Sequence, residues 1–552
     1  MLRRLKFAPL SSFSVVSSST AVANPATNPV KRERVSVVKG VDERTEEVSM
    51  LRLSVSDRTG ERVKFGKVSS VPKMAETGLV GALQTCPSPH KQLQHQADDL
   101  KKKLSQRRFP LDPTHMQQMR SRIRKDIASK SMDAHDFDTP DMLSARKYVM
   151  MKEVDAEMKK KFVSWRPLDL NRRDKALTYA LARFAPNLAA IKRVLVELDR
   201  DKNFVPQSVL DYGSGCGTTF WACEEKWPLR VKEYCMIDPC QEMNELAVDI
   251  MRTGKESGDL IHKNVNFRRS LPPTADRTFD LVVSAHSFIE MNSYDLRMDT
   301  LASLWNRTNK YLVLIESGLY DSFNAIIRAR DYVLASGWEV KTEEAMQMLY
   351  EKNLLTPSIR QLLTRDERGF SERQRLHLLK EALPADVELP TLLPTGYVFA
   401  PCPHDSACPR TAVRKGREGR PCTTQIRWQR FRADGKTTRG DGTERETISY
   451  VVLAKGDRPA DDAAALPRVI EEVNKSKGHA NCTLCTAECG VRRIDIGKTR
   501  GKTVYQLVRG AVQGTLLPVN VDFHTGEIDD YDEGDDDYDV SEEDDHDNEK
   551  SK

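Results

Sequence analysis

The sequence predicts an α/β protein centred on a doubly wound, mostly parallel sheet, with a helical N-terminal extension and a cysteine-rich C-terminal region that contains β-strands. Three observations lead to this prediction. Short apolar runs alternate with helical stretches over residues 201–340, a glycine-rich turn follows the first run, and six of the 11 cysteines lie between residues 402 and 489. At 552 residues the chain is too long for one core, so we expect two or three domains with extensions.

The first thirty residues have the composition of a mitochondrial transit peptide. They contain Arg3, Arg4 and Lys6, six serines and no acidic residue. Serine interrupts the apolar residues too often for a secretory signal. We therefore predict a transit peptide over residues 1–30 and a location in the mitochondrial matrix, where cysteines serve as core residues or metal ligands rather than as a disulfide framework.

The segments on either side of the predicted sheet are charged and helical. Residues 31–140 contain basic clusters such as KKKLSQRR, and we predict a mostly helical or flexible extension there. Apolar residues at three- and four-residue spacings predict amphipathic helices over 141–200, and a second helical segment follows at 341–390. Strand-like alternation then appears within 391–518. No run of about 18 apolar residues free of charges and helix breakers is present, so we expect no membrane partner.

The net charge of +5 is the sum of two opposite contributions. Residues 527–552 hold 15 acidic side chains and two lysines, a net charge of −13, which leaves +18 for the preceding chain. A basic body favours a polyanionic partner such as nucleic acid, although a merely solvated surface has the same composition. We predict that the acidic tail, with bounds 519–552, is disordered because its like charges repel one another.

Four short apolar runs define the predicted sheet: SVLDYG, YCMIDP, FDLVVSAHSF and YLVLIESG. Strands of this length that alternate with helices are typical of a doubly wound parallel sheet. The first run leads into VLDYGSGCGTTF, in which glycines at positions 213, 215 and 217 permit a tight turn and close approach of a ligand to the main chain. A dinucleotide site has the spacing G-x-G-x-x-G, whereas Thr218 stands where its last glycine would fall.

An acidic residue followed by G-x-G-x-G resembles the S-adenosylmethionine loop of class I methyltransferases, whose sheet is Rossmann-like. Asp238 ends the next strand, 21 residues after Gly217, where it is placed to accept hydrogen bonds from a ribose. The resemblance implies that S-adenosylmethionine is bound by Asp211, Gly213, Gly215, Gly217 and Asp238. The alternative is a glycine turn that serves strand-to-helix packing alone.

No catalytic residue can be assigned from the sequence. Amino-directed methyltransferases usually have an Asn-Pro-Pro-Tyr type loop after the fourth strand, where this chain has Ser284, Ala285, His286 and Ser287. Cytosine C5 enzymes have a nucleophilic cysteine in that loop, and this loop has none. His286 is a candidate base, with a structural role as the alternative. Whether the chain is an enzyme is therefore open, and we expect reduced or no catalysis.

Six cysteines lie close together in the C-terminal region: Cys402, Cys408, Cys422, Cys482, Cys485 and Cys489. Few large apolar residues surround them, which favours metal coordination over burial in a core. Thiolates are ligands for zinc and for iron–sulfur clusters. The first pair is spaced C-x5-C and thirteen residues separate it from the third cysteine, so the two C-x2-C pairs of a zinc ribbon are missing. Spacing alone leaves both metals open.

The stretches VLDYGSGCGT, FDLVVSAHSFIEM, IESGLYDSFNAIIRAR and, above all, APCPHDSACP resemble the methyltransferase-like protein 17 family, mitochondrial small-subunit ribosome assembly factors with yeast and bacterial relatives. In that family four cysteines hold a [4Fe–4S] cluster. The resemblance assigns the ligands to Cys402, Cys408, Cys422 and Cys485, with Cys482 and Cys489 as substitutes for the fourth. This chain departs from the family where Ser317 replaces the usual proline and an insert lengthens the gap before the third cysteine.

The resemblance implies an assembly factor that binds mitochondrial small-subunit rRNA, together with ribosomal proteins or other assembly factors, while methyl transfer is unproven. A cluster that joins the loop near residue 400 to the strand near 485 would order the basic residues between them into an RNA-binding surface. These residues are Arg410, Arg414, Lys415, Arg417, Arg420, Arg427, Arg430 and Arg432, extended by Arg492, Arg493, Lys498, Arg500 and Lys502. The alternatives are an active S-adenosylmethionine-dependent rRNA methyltransferase and a zinc-stabilised RNA-binding protein.

Overall fold

The computed structural model describes residues 36–43, 45–56, 68–106, 113–130, 139–161, 168–255, 259–273, 277–291, 293–364, 371–411, 420–433, 442–459, 466–499 and 501–524. The predicted transit peptide lies outside these residues, as does the acidic run from position 527 onwards. The described residues form two sheets and 13 α-helices. None of the helices in these ranges is long and apolar enough to cross a membrane.

The first sheet has eight strands and forms the centre of the protein. They are β3 (Ser208–Tyr212), β4 (Glu233–Ile237), β5 (Val265–Arg268), β6 (Phe279–Ala285), β7 (Thr308–Ser317), β8 (Gly396–Ala400), β9 (Thr424–Gln429) and β10 (Thr443–Lys455). The strand order is β5-β4-β3-β6-β7-β10-β8, with β9 beside β10. The strands from β3 to β7 pair in parallel, whereas β10 is antiparallel to both of its neighbours in that order. This order confirms the predicted doubly wound, class I methyltransferase-like core.

Helices cover both faces of this sheet, which explains why its strands are apolar runs without alternation. One face is covered by α5 (Arg173–Leu195), α6 (Thr218–Lys226) and α7 (Gln241–Met251). The other is covered by α8 (Tyr294–Asn306) and α9 (Tyr320–Trp338). The order of strands reverses between β3 and β6, so the crevice at their carboxyl ends is the place where ligands of such sheets bind.

Further helices extend the core. Two of them, α1 (Lys73–Gln84) and α2 (His90–Gln106), pack on α7 and α5 respectively. The next two, α3 (Pro113–Lys130) and α4 (Pro140–Lys161), form a hairpin around a small apolar core. Between β7 and β8, a separate apolar cluster is made by α10 (Thr342–Glu351), α11 (Pro357–Thr364) and α12 (Glu372–Ala382).

The second sheet has seven antiparallel strands. They are β1 (Ser36–Asp42), β2 (Val48–Val55), β11 (Arg468–Val469), β12 (Asn474–Lys475), β13 (His479–Cys485), β14 (Val491–Gly497) and β15 (Val519–Phe523), and α13 (Lys502–Gly510) packs against them. Their order is β11-β13-β14-β1-β2-β15, with β12 beside β13. The sheet therefore joins both ends of the chain.

Two predicted boundaries differ from the structure. The extension was expected to be mostly helical or flexible, and α1, α2 and α3 lie in it, but it also contributes β1 and β2 to the middle of the second sheet, where the side chains of Val38, Leu51 and Leu53 are fully buried. The acidic tail was bounded at residue 519, but β15 begins at that residue and pairs with β2. Its residues precede the acidic run and alternate apolar with polar, as a strand does.

Candidate metal centre and glycine loop

Four cysteines line one small cavity between the two sheets: Cys402, Cys408, Cys422 and Cys485. The first follows β8, the second precedes the short 3-10 turn Pro409–Thr411, the third precedes β9 and the fourth ends β13. The structure thus brings together the four cysteines of the predicted ligand set, from loops of the central sheet and from a strand of the second sheet.

Strand geometry separates Cys485 from the other two cysteines near it. Successive side chains of a strand point to opposite faces, and Cys482 and Leu484 of β13 are buried in the apolar core of the second sheet. Cys485 lies on the other face, with Ile470 and Cys422. Cys489 also belongs to the second-sheet core, where its Sγ lies 3.7 Å from the carbonyl oxygen of Val521. Neither proposed substitute lines the cavity.

The walls between the four thiols are mainly apolar. They include Phe323 and Ile327 of α9 and Val491 of β14. Burial raises the pKa of Cys408 to about 12, and the neighbouring sulfur of Cys402 adds to the effect. Burial likewise raises the pKa of the Cys422 thiol to about 11. The thiols therefore carry protons at neutral pH, and a bound metal would have to displace them.

Arg330 of α9 fixes the loop that carries the first two cysteines. Its side chain is buried, and its Nη2 donates to the carbonyl oxygens of His404 at 3.0 Å and Ser406 at 2.7 Å. Its Nη1 donates to Asp331, whereas its buried Nε has no hydrogen-bond partner in the described segments. Burial opposes the charge, but Cys402 and Asp331 raise the pKa of Arg330. A permanent positive charge therefore lies beside the thiols, where it favours an anionic centre.

His404 lies in the same loop and contacts the fourth cysteine. Its Nε2 is 3.5 Å from the Sγ of Cys485, and its Nδ1 is 2.9 Å from the Oγ of Ser406. Burial, with Arg330 nearby, lowers the pKa of His404 to about 4, so the ring is neutral. Sequence reasoning did not single out His404 or Arg330, although the histidine lies within APCPHDSACP and the arginine interrupts an apolar helix face in NAIIRAR.

In the part of the chain that the structure describes, no group of three or more His, Cys, Asp or Glu side chains could hold one metal ion. Tetrahedral zinc would need four sulfurs at about 2.3 Å from a common centre. A polynuclear iron–sulfur cluster occupies more space, and each of its irons binds a different thiolate. Among the described residues, the four thiols therefore do not form a preformed site for a single ion.

Several basic residues expected on an RNA-binding surface are instead paired inside the protein. Arg410 is buried and donates to Glu43 at 2.9 and 2.8 Å and to Glu471 at 2.8 Å. The same correction applies to Arg430, Arg432 and Arg492, whose ion pairs are with Glu444, Asp98 and Asp42. Each of these arginines is paired with a carboxylate, so its charge is offset within the protein.

Other members of the predicted basic set are exposed. They are Arg420, Arg427, Arg493, Lys498 and Lys502, of which Arg420 is also paired with Glu471. Arg427 lines a cleft of about 730 Å³ between the central and second sheets, and exposed Lys475 of β12 lines it too. Arg414, Lys415, Arg417 and Arg500 lie outside the described residues.

The glycine loop has the backbone that its sequence predicts. Gly213, Gly215 and Gly217 have φ angles of +75°, +52° and +81°, which side chains rarely allow. A Cβ on Gly213 would lie 2.2 Å from the Cβ of Ser287, so this glycine also permits close approach of the loop after β6. Because the φ angles are positive, the turn needs glycine whether or not a cofactor binds.

Asp238 and Asp211 flank this loop as predicted. Asp238 accepts hydrogen bonds from the backbone nitrogens of Gly215 and Cys240, each at 2.9 Å, so its carboxylate orders the loop. Asp211 is buried, and burial raises its pKa to about 7; within the described ranges its Oδ2 has no hydrogen-bond partner. Both residues are suited to an S-adenosylmethionine site, and Asp238 additionally has this internal role.

The loop after β6 places His286 at the crevice with a φ of +57°. Its backbone nitrogen donates to the carbonyl oxygen of Ile315 at 2.8 Å, while its buried Nε2 has no hydrogen-bond partner in the part of the chain that the structure describes. Burial and nearby Arg183 lower the pKa of His286 well below its ordinary value. The neutral imidazole could accept a proton only weakly, which is a poor property for a general base.

Comparison with known families identifies the chain. Its sequence matches the family described as mitochondrial small ribosomal subunit Rsm22 over residues 173–342 and 374–518. These ranges cover more than half of the chain. The chain belongs to the Rsm22 family.

Two relatives of this Rsm22 family member show how far the similarity extends. The human ribosome assembly protein METTL17, mitochondrial, is 27% identical over 432 residues, which cover 77% of this chain and 78% of the relative. The Rsm22-cox11 tandem protein 2, mitochondrial, of Schizosaccharomyces pombe is 22% identical over 386 residues. That similarity covers 62% of this chain and 43% of the longer fission yeast protein. The family identified from sequence is thereby confirmed.

Solved structures similar to this Rsm22 family member include several methyltransferases. An S-adenosylmethionine-dependent methyltransferase from Clostridium acetobutylicum shares 16% identity, covers 26% of this chain and 54% of its own, and has a TM-score of 0.21. A magnesium protoporphyrin IX methyltransferase from Synechocystis with bound S-adenosylmethionine shares 13% identity, covers 33% of this chain and 78% of its own, and has a TM-score of 0.20. The assignment of the fold rests on the strand order.

Proposed function

We propose that this protein is an assembly factor of the mitochondrial small ribosomal subunit and acts in the mitochondrial matrix. In this proposal it binds small-subunit rRNA, together with ribosomal proteins or other assembly factors. The relatives support the organelle and the process in this proposal, since the human relative is named as a mitochondrial ribosome assembly protein. The observation that carries the molecular part is the convergence of four cysteines on one cavity between the two sheets.

The metal centre of this proposal is a [4Fe–4S] cluster held by Cys402, Cys408, Cys422 and Cys485. Two observations support it: the shared cavity and the buried cation of Arg330 beside the thiols. A cluster with four thiolates is anionic, so the buried guanidinium would offset part of its charge. When bound, the cluster would supply a cross-link between the two sheets.

The protein's own residues would then present an RNA-binding surface. Cys422 lies directly before β9, which carries exposed Arg427, and Cys485 ends β13, which pairs with the strand that carries exposed Arg493. Linking these strands would hold their cations in fixed positions, where they contact phosphates of folded rRNA. The centre thus has a structural role in this proposal. Its loss would loosen the surface because metal-binding free energy is partly folding free energy.

The methyltransferase-like core has a second candidate function. Its complete glycine loop, with Asp238 hydrogen-bonded to Gly215, favours S-adenosylmethionine binding and therefore an active rRNA methyltransferase. Against catalysis stands the loop after β6, in which His286 is neutral and no other base has been identified. We propose a core with reduced or no activity that binds S-adenosylmethionine at most as a structural ligand.

A double replacement of the first two cysteines tests the proposal. Full-length Cys402→Ser/Cys408→Ser protein, purified anaerobically, is expected to lose bound iron and sulfide and to retain less rRNA. Cys86→Ser is the matched control because Cys86 follows α1, outside the cavity. Zinc without sulfide in the parent protein would contradict the cluster, and undiminished rRNA retention by the double variant would contradict its structural role.

A further inference from the structure

A second and larger cavity lies at the carboxyl ends of β6 and β7. It has a volume of about 1020 Å³ and is lined by residues of α2, α5, β9, β10 and the loops after β6 and β7. Ligands of doubly wound sheets bind at this edge, and pockets for small molecules have volumes of roughly 300–1,000 Å³. None of the four cavity-lining cysteines of the metal centre takes part in it.

Buried and half-buried polar side chains line this cavity. His286 contributes a buried Nε2 that has no hydrogen-bond partner among the described residues. Arg183 of α5 also lines it and donates to Glu446 of β10 at 2.9 and 3.0 Å. Glu316, near the end of β7, is only 1% exposed and accepts a hydrogen bond from the backbone nitrogen of Ile289 at 3.0 Å. The cavity is therefore a built polar site.

The Glu316 carboxyl forms no ion pair with the described residues. Burial, to which Glu290 of the neighbouring turn adds, raises the pKa of Glu316 to about 8, while Arg183 of α5 opposes the shift. Arg297 of α8 also faces this carboxyl. At neutral pH the group is mainly a neutral acid, which offers a hydrogen-bond donor and an acceptor side by side.

The remaining lining restricts the kind of ligand. Aromatic side chains of Tyr179 and Trp428 form part of the wall. Carboxylates outnumber cations in the lining. Besides Glu316, the acidic residues are Glu290, Asp321, Glu444, Glu446 and Glu472, and the basic residues are Lys101, Lys102, Arg183 and Arg445. The interior therefore disfavours an anion and suits a neutral ring. Lys102 and Arg445 are exposed, so a phosphate outside the interior can reach them.

We propose that this cavity binds one unpaired nucleobase of an RNA chain, with Glu316 paired to the edge of the base and the attached phosphate near Lys102 and Arg445. Adenine, cytosine, uracil and guanine each carry a donor beside an acceptor on their pairing edge, which matches a neutral carboxyl. Single-stranded bases are commonly read in this way while they stack on aromatic side chains. This inference depends on the proposed function in one respect, namely that the bound rRNA supplies the unpaired base.

Nucleosides test the cavity without the basic surface. Adenosine, cytidine and guanosine are titrated into the full-length protein by calorimetry at pH 7 and pH 9. For a carboxyl with a pKa of about 8, the affinity for adenosine and cytidine is expected to fall about tenfold between these values, because the ionised group has lost its donor. Guanosine is expected to keep its affinity at pH 9, since it offers two adjacent donors to a carboxylate.

The variant Glu316→Gln keeps a donor and an acceptor at every pH, so it should bind adenosine equally at pH 7 and pH 9. A thermal melt of the same variant establishes that it is folded. Absence of binding by all three nucleosides, or the same pH dependence in the parent and Glu316→Gln proteins, would overturn the inference. If nucleosides do not bind while rRNA is still retained, only the base site is refuted. If nucleosides bind while rRNA is not retained, the proposed function is refuted instead.

Discussion

Arg468 of β11 donates hydrogen bonds from two nitrogens to the carboxylate of Glu197, at 2.9 and 3.0 Å, and so joins the second sheet to the methyltransferase-like core. Both side chains are buried, and the hydroxyl of Tyr450 donates to the same carboxylate at 2.7 Å. Removal of one partner would leave the other as an uncompensated buried charge. The pair is therefore the polar contact on which the two-sheet arrangement depends most directly.

Replacement of this carboxylate should destabilise the protein strongly. We expect Glu197→Ala to lower the free energy of unfolding by about 3–5 kcal/mol, because Arg468 would stay charged and buried. The double variant Glu197→Leu/Arg468→Met should recover part of the loss. Glu225→Ala breaks the more exposed pair with Lys192 and serves as the control, with an expected effect of about 0–1 kcal/mol. Urea unfolding measures all three, and equal losses for Glu197→Ala and Glu225→Ala would refute the argument.

The same pair predicts a dependence of stability on acid. Burial opposes ionisation, but Arg468 and Arg193 lower the pKa of Glu197 from 4.5 to about 2. A carboxyl with a depressed folded-state pKa contributes stability that is present above pH 4.5 and is lost as the pH falls towards 2. The stability difference between the parent protein and Glu197→Gln should therefore shrink from pH 5 to pH 3. A constant difference over this range, measured by urea unfolding, would contradict the assignment.

Arg330 should be needed for metal retention, although it is not a ligand. Replacing it with methionine removes the hydrogen bonds that fix the carbonyl groups of His404 and Ser406, so the loop with Cys402 loosens. Changes to such supporting groups cost about 10- to 100-fold in metal affinity. Arg328→Met is the control because Arg328 lies on the exposed side of the same helix. The iron content of the two variants is compared after exposure to a chelator. Equal iron retention would show that Arg330 does not support the metal centre.

The glycine loop can be altered to separate a scaffold from an enzyme. A Cβ on Gly215 would lie 3.5 Å from the nearest atom, the Cε of Met243, so Gly215→Val is opposed by the φ of +52° rather than by a clash and is expected to distort the glycine loop. Gly456→Val carries the same kind of backbone strain, at a φ of +88°, in open space. If the core is inactive, cells that depend on Gly215→Val and cells that depend on Gly456→Val should assemble the small subunit equally well. An assembly defect with loss of a mapped rRNA methyl group in Gly215→Val alone would establish the enzyme.

The rRNA interaction should weaken steeply with salt. Each phosphate contact contributes a slope of about −0.9 to −0.7 in a plot of log affinity against log salt concentration. Arg427→Gln removes an exposed cation of β9 and should make the slope shallower by the contribution of about one phosphate contact. Arg430→Gln serves as the comparison, since Arg430 is paired with Glu444 and should leave the slope unchanged while it affects stability. Filter binding from low to high salt measures both slopes.

The central sheet could be predicted because local patterns determine it, whereas the set of four cysteines came from the resemblance to a known family. The apolar runs and the positive-φ glycines of the 213–217 turn require no knowledge of distant residues. The fate of the arginines could not be predicted in this way. Arg410 is buried because Glu43, far away in sequence, lies opposite it, and nothing in the local sequence distinguishes it from exposed Arg427. Charge pairing across two sheets is a property of the fold rather than of a window of sequence.

The place of Glu316 shows a second limit. The sequence identifies YLVLIESG as a strand, but the protonation of its glutamate depends on burial beneath elements that follow and precede it. His404 is similar, since its contact with Cys485 joins residues on different sheets. Tertiary environment, which decides both pKa values, is the part of a site that spacing leaves undetermined.

The position of β1 and β2 between β14 and β15 has a consequence for biogenesis. The hairpin emerges first during synthesis and during import, yet both of its neighbouring strands are made more than 430 residues later. Its edges stay open until the last strands arrive, and such long-range pairing is slow and exposes aggregation-prone surfaces. A chain that stops before β14 would therefore keep a folded methyltransferase-like core but leave its N-terminal hairpin as a target for chaperones and proteases.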